Sequence, residues 1–177
     1  MTVLVIADIV NNELSIDLTG KTVNAVSSLG DVTVLCACED AASASNEAAK
    51  IKGVNKVLNI SNALFKNGLA EPMSALIVEL SENYDFIVSA ASAFGKNILP
   101  RVAALIDVMV ITDISRIINE DTFERPIYAG NALQTVKSSD KKKILSIRTA
   151  NFEVPDLSNS ASIINANCSI SENKMSS

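Results

Sequence analysis

The segment Phe86-Ile87-Val88-Ser89-Ala90-Ala91-Ser92-Ala93-Phe94-Gly95-Lys96-Asn97 passes from a short apolar run through small residues into a helix-forming stretch. An apolar run without polar alternation is typical of a strand buried on both faces of a parallel sheet. The same pattern recurs along the first two thirds of the chain. It predicts five buried strands, at residues 3–7, 32–38, 56–60, 86–90 and 108–111.

The segments between these predicted strands have helical spacing. The clearest is residues 69–82, where an apolar stripe predicts a core-facing helix; the stripe consists of Leu69, Met73, Leu76, Ile77 and Leu80. Further helices are predicted at residues 18–29, at 41–52 and from near Asn97, with Pro100 early enough to remove only an unpaired amide. Alternating strands and helices indicate an α/β fold with a doubly wound, mostly parallel sheet and right-handed crossovers.

The pattern changes after Asp113. Residues 125–129, 133–137 and 144–148 are strand-like and are separated by turn signals, so they predict an antiparallel β meander added to the parallel core near the C-terminus. The run Lys141-Lys142-Lys143 is interpreted as part of a solvated hairpin turn. We expect an α/β N-terminal domain over residues 1–152 and a linker-like tail over residues 153–177, with one short strand at residues 162–164.

Composition excludes several classes of function. The chain of 177 residues contains no His, which removes the commonest general base and metal ligand, and its net charge of −5 argues against nucleic acid. Cys36, Cys38 and Cys168 are poorly spaced for disulfides or zinc, and no apolar run is long enough to span a bilayer. We therefore expect a cytoplasmic protein without membrane segments, catalytic residues, cofactor-binding residues or metal ligands.

One stretch approaches a phosphate-binding loop. Residues 90–97 follow a strand and open a helix, but Ala90 stands where the first glycine of a P-loop belongs and Asn97 replaces the hydroxyl that binds magnesium. We interpret Gly95 instead as a turn residue at a special backbone angle. If the first and fourth predicted strands flank a switch in strand order, Asp8 and the residues from Ser89 to Lys96 line a crevice. That crevice could take a small ligand or another domain.

Several longer segments are similar to a known family. Two of them resemble the α subunit of electron transfer flavoprotein. The first is Gly95-Lys96-Asn97-Ile98-Leu99-Pro100-Arg101-Val102-Ala103-Ala104-Leu105-Ile106-Asp107 with its continuation to Asp113, and the second is Thr122-Phe123-Glu124-Arg125-Pro126-Ile127-Tyr128-Ala129-Gly130-Asn131-Ala132. Residues 3–8, 135–138 and 146–149 are similar too. The resemblance covers residues 1–152.

The resemblance implies a heterodimer with a β subunit that holds one FAD. Such proteins carry electrons from acyl-CoA and other dehydrogenases toward a membrane quinone reductase, and the flavin lies mainly in a second α-subunit domain. Because the chain ends at Ser177 within the predicted tail, we expect it to be the N-terminal scaffold and docking domain, without FAD of its own. An engineered truncation, a proteolytic product and a split gene are all consistent with this. An independent adenine-nucleotide-binding domain and an oligomerisation module are the alternatives.

Overall fold

The computed structural model describes residues 1–170. The strands, in chain order, are β1 (Thr2–Ile6), β2 (Ile9–Val10), β3 (Glu13–Leu14), β4 (Asp31–Cys38), β5 (Val54–Ser61), β6 (Phe86–Ala90), β7 (Val110–Ile114), β8 (Arg116–Ile117), β9 (Thr122–Ile127), β10 (Ala132–Lys137), β11 (Lys143–Ile147) and β12 (Ser162–Asn165). The α-helices are α1 (Ile16–Val26), α2 (Ala42–Ala48), α3 (Ala70–Leu80) and α4 (Ala93–Leu105). All five predicted buried strands are present, and each overlaps its predicted position.

A parallel sheet with the order β12-β5-β4-β1-β6-β11-β7 forms the centre of the molecule. The central strand β1 shows why this layer is buried on both sides. Val3 and Val5 pack into the core beneath α1, α2 and β9, whereas Leu4 and Ile6 pack into the core beneath α3 and α4. Helices on both faces confirm the predicted doubly wound, mostly parallel α/β fold.

The predicted meander is correct only in its first part. Strands β8, β9 and β10 form a separate antiparallel sheet, but β11 does not pair with β10. It lies between β6 and β7 in the central sheet and is parallel to both. Ile144, Leu145 and Ile147 are all fully buried, with Ile144 on one face and the other two on the opposite face. A strand that is apolar on both faces is stabilised more in the central sheet than in an exposed hairpin.

The lysine run is accordingly not a solvated hairpin turn. Residues 138–142 connect the small sheet to β11, and the Lys142 ammonium donates a hydrogen bond of 3.0 Å to the Tyr84 carbonyl oxygen. Lys143 lies over the Phe86 ring, with its Nζ 5.6 Å from the ring centroid. These lysines fix the start of β11 against the end of α3 and the start of β6.

Helix α4 begins earlier than predicted. Its N-cap is Ser92, whose hydroxyl accepts a hydrogen bond of 3.2 Å from the Gly95 amide. Pro100 therefore lies in the helix interior, on the exposed side, and the prediction that it removes only an unpaired amide is wrong. The apolar residues Ile98, Leu99 and Val102 are buried, so tertiary packing outweighs the local cost of proline.

Residues 153–155 pack against α1, and the chain then continues to the edge of the central sheet. The Asn159 side-chain amide donates to the Ile51 and Val54 carbonyl oxygens, at 3.1 and 2.7 Å. Strand β12 then pairs with β5, which confirms the short strand predicted at residues 162–164. Residues 171–177, the end of the predicted tail, lie outside the described residues. Within residues 1–170, none of the helices is long and apolar enough to cross a membrane.

Candidate functional site

The central sheet changes its winding direction at β1. From β1 the chain adds β4 and then β5 on one side, and it returns to place β6 on the other side. The first and fourth predicted strands therefore flank the switch point, as expected. In such sheets the crevice beyond the carboxyl ends of the strands is the usual ligand position.

Asp8 lies two residues after the end of β1, at this crevice. Its backbone is fixed, because its amide donates to Thr19 Oγ1 at 3.1 Å and its carbonyl oxygen accepts from the Ser15 amide at 2.8 Å. The residue is only 6% exposed, and its Oδ2 atom has no hydrogen-bond partner within residues 1–170. Buried carboxylate oxygens are normally hydrogen-bonded, so this atom needs an explanation.

A two-residue hairpin follows Asp8 and was not predicted. Strands β2 and β3 are joined by Asn11 and Asn12, whose φ angles are 53° and 65°. Positive φ at both central residues defines the tight turn that matches strand twist, and asparagine tolerates this backbone region. The Asn-Asn pair between Ile9-Val10 and Glu13-Leu14 was the signal in the sequence that could have indicated it.

The cavity at the switch point, called here the Asp8 cavity, has a volume of about 340 Å³. Its walls are Asp8, the β2–β3 hairpin, the end of β4, the loop from Phe65 to Gly68, and Phe94 at the start of α4. Of the predicted crevice residues, Asp8 and Phe94 line it. Ser89 and Ala90 are instead buried, and Lys96 lies near Asp113, with 3.6 Å between Nζ and Oδ1. The structure thus places only some of the predicted crevice residues at one cavity, and the others lie in the core or on the surface near Asp113.

The turn between β6 and α4 is closed by its own contacts. Gly95 has no positive φ, so the prediction of a special backbone angle is wrong. A β-carbon placed on Gly95 would instead overlap the Ala90 carbonyl oxygen and Ser89 Oγ, so glycine is required for close packing. The Ala91 amide donates to the Ile147 carbonyl oxygen at 2.8 Å, and the Gly95 amide is used by the Ser92 cap. These amides are not available to a phosphate group.

Cysteines offer no reactive site in the sheet. Cys36 and Cys38 lie on the same face of β4, as predicted, and both are buried in the core. Burial raises the pKa of the Cys36 thiol to about 12, which disfavours the nucleophilic thiolate. Among residues 1–170, no cluster of His, Cys, Asp or Glu could hold a metal ion.

Comparison with known proteins assigns the chain to a family. The family model of the electron transfer flavoprotein domain matches residues 3–169. The chain belongs to the electron transfer flavoprotein family. It is 56% identical over 153 residues to the electron transfer flavoprotein subunit alpha of Paracoccus denitrificans, a match that covers 86% of this chain and 50% of that protein.

Other α subunits in the electron transfer flavoprotein family match this chain over a similar part of their length. The subunit alpha of Pseudomonas aeruginosa is 45% identical over 154 residues, which cover 86% of this chain and 50% of that protein. The mitochondrial subunit alpha of Dictyostelium discoideum is 39% identical over 176 residues, which cover 94% of this chain and 49% of that protein. The chain therefore spans about half the length of these relatives.

The two long segments that resemble the electron transfer flavoprotein family occupy distinct places. One forms α4 and β7, and the other forms β9 and the turn into β10. That turn and the first residues of β10, up to Leu133, are called here the small-sheet tip. Within it, Tyr128 and Ala129 have φ angles of 50° and 55°. Tyr128 is 79% exposed and Leu133 is 65% exposed. Strained non-glycine backbone beside exposed apolar side chains is a feature of functional surfaces.

Proposed function

We propose that the chain is the N-terminal scaffold and docking half of an electron transfer flavoprotein α subunit. The observation that carries the proposal is the match to subunit alpha of the relatives along most of this chain. By the family resemblance, the whole protein pairs with a β subunit, holds one FAD, and carries electrons from acyl-CoA and other dehydrogenases toward a quinone reductase. In this role the chain has no catalytic site of its own. A reducing compartment such as the cytoplasm suits its free cysteines.

The residues at the switch point do not fit FAD. A dinucleotide needs free backbone amides and room beside its pyrophosphate. Here the amides of Ala91 and Gly95 are already bonded, and Gly95 packs against the Ala90 carbonyl oxygen. The Asp8 carboxylate would also repel a phosphate group. We therefore assign the flavin to residues outside this chain, and the purified chain should be colourless.

Docking is proposed to use the small-sheet tip. Tyr128 and Leu133 present apolar surface at the end of the small sheet, away from both cores. Aromatic and aliphatic side chains of this kind form the energetic centre of protein interfaces. The left-handed backbone at Tyr128 and Ala129 costs about 1–3 kcal/mol per residue, a cost that a docking role would explain.

Sedimentation velocity with a purified electron transfer flavoprotein β subunit tests the docking role. We expect a faster-sedimenting complex with the intact chain and at least about tenfold weaker binding with Leu133→Asp, because a charge would be buried in the interface. Leu105→Asp is the matched control: Leu105 is 56% exposed at the end of α4 and should leave binding unchanged. No complex, or equal loss in both variants, would contradict the proposal.

The alternative adenine-nucleotide function is not favoured by the family. Calorimetry with AMP and ATP separates it from the docking role. We expect no binding tighter than millimolar, since the turn amides are used within the protein and Asp8 is anionic. Submicromolar binding, or a yellow protein with near-stoichiometric FAD, would overturn the scaffold proposal.

A further inference from the structure

The Asp8 cavity has an uncompensated negative charge. In the described part of the chain, the charged residues that line it are Asp8 and Lys66. The Lys66 ammonium lies 3.0 Å from Glu39 Oε1, so its charge is already paired. Among the residues that the structure describes, Asp8 has no ion-pair or hydrogen-bond partner at Oδ2, although the residue is almost completely buried. Buried charges in proteins are normally paired, and a cation in the cavity would supply such a partner where the Asp8 side chain reaches the cavity wall.

The other walls of the cavity suit a planar organic cation. Phe94 is a lining residue and its ring lies beside Gly68, and Asn11, Asn12 and Asn67 are further lining residues with polar side chains. Guanidinium groups donate paired hydrogen bonds to a carboxylate and stack on aromatic rings. The volume of about 340 Å³ is near the lower end of the range of roughly 300–1,000 Å³ for small-molecule sites.

We propose that the Asp8 cavity binds a small organic cation of the alkylguanidinium class, with the Asp8 carboxylate as its anionic partner. The rigid backbone around Asp8, held by Thr19 and Ser15, fixes the position of that carboxylate. The same charge excludes phosphate-bearing ligands. This site is independent of the docking role at the small-sheet tip, because it lies at the carboxyl edge of the central sheet.

NMR titration of the ¹⁵N-labelled full chain tests the proposal with propylguanidinium as the probe and propylurea as its neutral analogue. We expect saturable shifts of the amides of residues 8–12 and of Gly68 with propylguanidinium. Propylurea should bind at least about tenfold more weakly, because it lacks the charge that pairs with Asp8. This comparison uses the unaltered protein and does not depend on how any variant folds.

Two variants sharpen the test. Asp8→Asn should weaken propylguanidinium binding at least about tenfold, whereas Asp17→Asn, which changes an aspartate on α1 that pairs with Lys21 at 2.7 Å, should leave it unchanged. Inorganic phosphate should produce no shifts at the cavity. Equal affinity for the two probes, unsaturable shifts, or full affinity in a folded Asp8→Asn protein would overturn the proposal.

Discussion

Substitution of Gly95 by alanine tests the close packing between β6 and α4. The added β-carbon would overlap the Ala90 carbonyl oxygen and Ser89 Oγ, and it would approach Ser89 Cβ to 3.3 Å. Overpacking of this kind costs about 1–3 kcal/mol, and disturbing the Ser92 cap costs about 1 kcal/mol more. Alanine regains up to about 1 kcal/mol of helix propensity over glycine. The net loss of unfolding free energy is therefore about 2 kcal/mol.

For a domain of this size, each kcal/mol shifts the melting temperature by roughly 2–4 °C, so we expect Gly95→Ala to lower it by roughly 4–8 °C. Thermal unfolding followed by circular dichroism measures this. The matched control is Gly20→Ala in α1, where the new β-carbon would meet the side chains of Pro155 and Val154 at 3.3 Å rather than a fixed carbonyl group. Its effect should stay within about 1 kcal/mol. An unchanged midpoint for Gly95→Ala, or an equal fall in both variants, would refute the packing argument.

Three further predictions concern the thiols, acid stability and the tail. At pH 8 a thiol reagent should modify only Cys168 quickly, since burial raises the pKa of Cys36 to about 12; rapid reaction of all three thiols would contradict this. The Thr2 amide donates to the Asp85 carboxylate at 2.8 Å and holds the pKa of Asp85 below its usual value. This stabilisation is present above the unfolded-state pKa and is lost as pH falls through the folded-state value, so Asp85→Asn should flatten the decline in melting temperature between about pH 5 and pH 3. Asn159→Ala removes two hydrogen bonds to backbone carbonyl groups and should cost about 1–3 kcal/mol; a chain that melts like the wild type would show that the tail contributes little.

The family resemblance came from particular residues rather than from general α/β features. The segments around α4 and the small-sheet tip carry it, and the family match over residues 3–169 confirms it. The sequence did not indicate how these segments are used. Gly95 proved to be a packing residue, and positive φ angles in these two segments lie instead at Asp107, Asp113, Tyr128, Ala129 and Gly130. A residue type does not by itself reveal close packing or a strained backbone in the sequence, because strain depends on how the neighbouring residues hold the turn.

The candidate site was predicted only in part for a similar reason. Asp8 was placed correctly at the switch point, since the carboxyl ends of parallel strands meet at one edge of a sheet. The other walls of the Asp8 cavity come from the β2–β3 hairpin and from the loop ending at Gly68. The hairpin follows Asp8 in sequence and is signalled only by the pair Asn11-Asn12. The loop ending at Gly68 is far from Asp8 along the chain, and no periodic pattern links the two.

Apolar periodicity along the chain was enough to place the buried strands, the helical segments and the α/β class, because it reports directly which faces of an element are buried. It did not show which strands are neighbours. Residues 144–147 follow β10 after a polar turn, so their place in the sequence predicted a hairpin partner of β10, although burial on both faces suits a central strand. The three-dimensional fold selects the central position, because the gap between β6 and β7 is closed by a strand that the chain reaches only after β8, β9 and β10. Long-range pairing of this kind depends on the whole core, not on local sequence.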